Sequence, residues 1–79
     1  MTPERVRQLV AMTGEDRPAL ARMLGYKSEN SLRQCEDGKA TLRPDRAAWL
    51  EAYAKFRMKQ ASALTVWLRK NPPPGQNND

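Results

Sequence analysis

Apolar residues recur at helical spacing in successive stretches of this chain, and the stretches are separated by start and stop signals. Val6, Leu9, Val10 and Thr13 share one face of a helix that opens at Thr2-Pro3-Glu4, a capping hydroxyl followed by a proline and an acid, and closes at Gly14. Arg5, Arg7 and Gln8 fall on its solvated side. A second short helix spans Asp16 to Leu24, with Asp16 as N-cap, Pro18 in the first turn and Gly25 as terminator. Ala21, beside Leu20 and Leu24, leaves room for another helix to approach. The third runs from Ser28 to Lys39: Ser28 is placed to accept from the first free amides, and Gly38 suits the left-handed position beyond the last turn. Leu42 reads as a core plug under the loop that follows.

Pro44 and Asp45 open the last helix, and from there to Lys70 no Gly, further Pro or Asn forces a stop. Trp49, Tyr53, Phe56, Gln60, Ala63 and Trp67 are spaced 4, 3, 4, 3 and 4, a heptad-like stripe with one polar member. A second stripe of Ala61, Leu64 and Leu68 has no counterpart within so small a domain. A continuous helix over about residues 44–70 spans roughly 40 Å, which leaves Leu64, Trp67 and Leu68 as the expected interface of a homodimer. The alternative is a bend near Lys59 to Ser62 that returns a fifth helix to its own domain. Residues 71–79, NPPPGQNND, carry no apolar side chain to bury and are expected to be a disordered tail.

The third helix carries the candidate chemistry. At 100° per residue Ser31, Leu32 and Cys35 face one way, and Glu29, Asn30, Arg33, Gln34 and Asp37 share the opposite arc. Asn and Gln match adenine bidentately, Arg matches guanine, and Glu accepts from cytosine, so Glu29, Asn30, Arg33 and Gln34 are the candidates for base readout in DNA. A solvated helix face with no partner has the same pattern. Arg17 at the start of the second helix, Lys27 and Ser28 in the turn, and Lys39 and Arg43 beyond the third helix are the candidates for phosphate contact. The amides of Ala40 and Thr41 lie on the same loop.

Two short helices joined by a Gly-containing turn follow the helix-turn-helix plan. The run LARMLGYKSENSLRQCEDGK resembles the Cro/repressor class, the XRE family, in which the first helix ends in Leu-Gly, a Ser starts the recognition helix and Glu-x-Gly-Lys closes it, here Glu36, Gly38 and Lys39. The resemblance covers roughly residues 3 to 56. It departs in a turn one residue longer, in Cys35 where Ile or Trp is common, and in Val10 where Arg is common. It implies an all-α fold, a compact helical bundle of residues 1–70 with a helix-turn-helix and a long C-terminal helix. It also implies a structural ion pair at Glu36, for which Arg7 is the candidate partner.

A chain of 79 residues buries only about 60 to 65% of its unfolded surface, so stability is expected to be marginal without a second subunit. No apolar run approaches the roughly 20 residues of a membrane span, and no signal-peptide pattern opens the chain. One Cys excludes an internal disulfide, and the lack of His removes the usual zinc sets and His-based acid-base chemistry. No metal, cofactor, small-molecule ligand or enzymatic activity is therefore expected. Fourteen Lys and Arg against nine acids give a net charge of +5, which favours a polyanionic partner.

These readings converge on a cytoplasmic DNA-binding repressor acting as a homodimer on an inverted-repeat operator. The resemblance extends to the regulators of phages and mobile elements, including autorepressors paired with anti-CRISPR genes and the antitoxins of toxin-antitoxin operons. Two other classes stay open: a protein-interaction module such as an antitoxin or inhibitor, and an RNA binder. Against RNA, the few aromatic residues look committed to the core.

Overall fold

A computed structural model describes residues 1–59 and 63–77 of the chain, with the side chains of 76 and 77 left aside. Among these described residues it holds five α-helices: α1 Pro3–Thr13, α2 Arg17–Met23, α3 Glu29–Glu36, α4 Pro44–Lys59 and α5 Leu64–Lys70, followed by a 3-10 turn at Pro74–Asn77. No strand is present among the described residues. The all-α expectation is met.

Each early boundary has a local cause. The Thr2 hydroxyl accepts from the Arg5 amide at 3.2 Å, Pro3 occupies the first turn, and Gly14 stops α1 in the left-handed conformation. The four expected residues of α1, Val6, Leu9, Val10 and Thr13, are all buried. Asp16 and Ser28 do stand at the N-cap positions of α2 and α3 in extended conformation, but neither side chain makes a capping bond. Ser28 instead lends its backbone carbonyl to the Ser31 amide at 3.3 Å. Leu42 is buried beneath its loop, as read from the sequence.

The core lies where α1 packs along α4 and against α3, and α3 packs in turn against α2. Leu9, Leu20, Leu24, Leu32, Leu50 and Tyr53 are each fully buried there. Burial of a side chain of this size contributes roughly 1.5–3 kcal/mol.

Two expectations about the C-terminal half are corrected. The helix does not run on from Pro44 to Lys70: α4 ends at Lys59 and α5 starts at Leu64. The alternative of a bend near Lys59 to Ser62 turns on residues 60–62, which lie outside the described residues, as do the stripe members Gln60 and Ala61. A helix of roughly 40 Å exceeds the longest extent of the molecule, 34 Å. Folding α5 back sets the Trp67 ring 5.3 Å from Phe56, 5.6 Å from Tyr53 and 6.0 Å from Trp49. Leu64, Trp67 and Leu68 are half-buried against their own core, so the apolar surplus expected to form a dimer interface is absorbed within one chain.

The second correction concerns the tail. Residues 71–77 lie on the domain: Trp49 donates its indole N–H to the Asn71 carbonyl at 2.9 Å, and Pro73 is fully buried. Residues 78 and 79 of the expected disordered tail lie outside the described residues.

Candidate functional site

α3 is built on a sharp division of its two faces. Leu32, Cys35 and Glu36 are buried behind it, whereas Asn30, Arg33 and Gln34 are exposed in front. Glu29, half-buried at the first position, lies 4.0 Å from Arg33, one turn on, and its charge suits the positive end of the helix. The proposed readout residues Glu29, Asn30, Arg33 and Gln34 thus share one arc, as their spacing dictates. Asp37 adjoins them, also exposed.

The far end of α3 is closed by backbone. The Lys39 and Ala40 amides both donate to the Gln34 carbonyl, at 2.9 and 3.2 Å, around Gly38 with φ 79°. A Cβ on Gly38 would also press on the Pro3 ring at 3.1 Å, so this position favours glycine twice over. The Ala40 amide, on the loop of Lys39 and Arg43, is therefore committed to the end of α3.

The expected phosphate contacts separate into two groups. Lys27 before α3 and Lys39 after it are exposed, and neither has an ion pair among the described residues; Ser28 is exposed beside Lys27. Arg43 is exposed, with Asp45 4.0 Å away. Arg17 is held differently. Its Nε donates to both oxygens of Glu36, at 3.0 and 3.2 Å, and its Nη2 donates at 2.9 Å, a fork on a carboxylate that is almost fully buried. That hydrogen bond, with the charge of Glu36 behind it, holds the guanidinium pKa above its ordinary value.

Arg7 approaches the same residue but takes its backbone carbonyl instead of its carboxylate. The ion pair expected at Glu36 is present with a different partner. A cleft of about 420 Å³ opens beside it between Arg7, Val10, Gly14, Glu15, Arg17 and Glu36, and both of its cations are already engaged.

Other cations are structural too. Arg5, expected in solvent, ties α1 to α4 through Glu51 at 2.9 Å, which lowers the Glu51 carboxyl pKa. Arg57 lies 3.8 Å from Glu15, which accepts from the Tyr53 hydroxyl at 2.6 Å. Burial first, and the neighbouring Glu15 second, push the Tyr53 phenol up to about 12.

Sequence reasoning passed over Arg46. Its guanidinium lies 4.9 Å over the Tyr26 ring at the turn into α3, while the Tyr26 hydroxyl reaches the Cys35 sulfur at 3.7 Å. Burial, followed by that sulfur contact, raises the Tyr26 pKa. An aromatic residue in a polar turn, otherwise unexplained, was the available signal.

Among the described residues no helix is long and apolar enough to cross a membrane, and no group of three acids or cysteines is placed to hold a metal. No protein-family model, curated protein or solved structure matches this chain.

Proposed function

We propose that this chain is a sequence-specific DNA-binding regulator, a repressor of helix-turn-helix type acting in the cytoplasm. The observation that carries the proposal is the arc of Asn30, Arg33 and Gln34, exposed on a helix whose back is fixed by buried Leu32, Cys35 and Glu36. A helix held from behind presents its donors and acceptors in one geometry, as base readout demands. Lys27 and Lys39 bracket it with cations free to meet phosphates on either side of a groove.

One helix reaches only three or four base pairs, so operator selectivity calls for two copies on half-sites about 34 Å, or roughly 10 base pairs, apart. Leu64, Trp67 and Leu68 are half-buried against their own core, and the most exposed large apolar side chains among the described residues are Met1, Met58 and Val66. In this reading the two copies assemble on the inverted repeat.

The test is binding to a duplex carrying the gene's own upstream region against random duplex, followed by sizing of the complex. Preference for the upstream region with two chains per duplex supports the reading. No affinity for any duplex at physiological salt ends it and transfers the polar arc of α3 to a protein partner.

A further inference from the structure

The chain from Asn71 to Asn77 is fastened at three points. Trp49 on α4 donates to the Asn71 carbonyl, Pro73 is buried in the domain, and Gly75 lies against the turn that leads from α2 into α3. The third contact is the closest backbone approach at any of the chain's glycines. A Cβ built on Gly75 would stand 2.1 Å from the Arg22 carbonyl oxygen and 2.8 Å from the Gly25 nitrogen. Those two atoms are themselves hydrogen-bonded at 3.0 Å, the bond that closes α2 at a left-handed glycine.

From this point the contacts lead directly to the candidate site. Gly25 precedes Tyr26, whose ring carries the Arg46 guanidinium and whose hydroxyl meets Cys35 in the buried face of α3. The Arg46 Nη2 atom also lies 3.5 Å from the place a Cβ on Gly25 would occupy.

We infer that residues 71–77 are a positioning strap: seated through Gly75 on the α2–α3 turn, they set the attitude of α3, and the seat and the turn open and close together. Gly75 is the keystone, because any side chain there displaces the strap from the Gly25 amide. The strap acts on the polar arc only through the turn and touches no partner.

The experiment is hydrogen exchange by nuclear magnetic resonance on the full chain. The Trp49 indole N–H reports the strap, the Gly25 and Tyr26 amides report the turn, and the Leu9 and Leu50 amides report the core. In Gly75→Ala, the strap and turn protons should exchange at least about tenfold faster while the core protons hold their protection, the pattern of a local opening. Pro73→Ala, which loosens the strap without a clash, should give the same pattern more weakly and decides the matter if Gly75→Ala unfolds the domain. Faster exchange at Trp49 with an unchanged turn overturns the inference, as does no change at either.

A second arm rests on the DNA reading. Gly75→Ala should lose preference for the upstream duplex while keeping its affinity for random duplex. If the native chain binds no duplex, the DNA reading fails and the exchange arm still decides the strap.

Discussion

Arg17 grips Glu36 across the junction of α2 and α3, with three hydrogen bonds of 2.9 to 3.2 Å onto a carboxylate that water hardly reaches. The pair locks two helices together, and its removal from either side leaves the other charge without its partner. Arg17→Ala should lower the melting temperature by several degrees, well beyond the effect of Arg43→Ala, whose partner Asp45 is 4.0 Å away and exposed. In DNA binding the slope of log K against log salt should stay as it is for Arg17→Ala, because this guanidinium is already neutralised. A shallower slope would return Arg17 to the phosphate contacts.

The arc residues and the flanking lysines should behave in opposite ways. Arg33→Ala and Gln34→Ala are each expected to cost about 1–3 kcal/mol on the preferred duplex and almost nothing on random sequence. Lys27→Ala and Lys39→Ala should weaken both alike and make the salt slope shallower by about one each. Fluorescence anisotropy across a salt series separates the two patterns; equal losses on both duplexes for Arg33 and Gln34 would remove base readout from α3.

Tyr53 gives the fold an alkaline limit. Its phenol titrates at about 12 in the folded chain, above the ordinary value near 10, so the folded state binds this proton more tightly than the unfolded chain does. The stabilisation is therefore complete below pH 10 and is lost as pH rises from about 10 to about 12. Chemical denaturation across that window should show the decline, and Tyr53→Phe should flatten it.

Trp67 stacks at 5.3 Å on Phe56 and closes the aromatic cluster from above. Trp67→Ala should destabilise by about 2–4 kcal/mol, scaled down from a fully buried tryptophan because the ring is half-exposed. Light scattering of the native chain should give the 9.0 kDa monomer, and the variant should change the melting point, not the mass. A native dimer that Trp67→Ala dissociates would reinstate the interface read from the sequence.

The parts of the fold legible in the sequence are those fixed by neighbours in the chain. The Val6, Leu9, Val10, Thr13 stripe, the Gly14 stop and the two faces of α3 all follow from a 3.6-residue period and local caps. The fold-back of α5 was legible only as the alternative to one long helix, because aromatic residues spaced 4 and 3 apart align equally on one long helix or across two short ones. The Arg17–Glu36 pair was hidden for a related reason: a long cation finds its acid in space, and the sequence offered Arg7 as well. The strap has no periodic signature at all. Its composition reads as disordered because a buried proline and a glycine that lets two backbones touch both count as polar punctuation in a linear reading. The exposure of Asn30, Arg33 and Gln34 followed from spacing; what they touch does not.

The one sulfhydryl of the chain lies beneath α3, 2% exposed and covered by the Tyr26 hydroxyl. A thiol reagent reaches Cys35 only after that helix has lifted from α1 and α2. The rate of labelling is thus a clock for the departure of α3, and since there is no second thiol, every tagged molecule is one that has opened at that place.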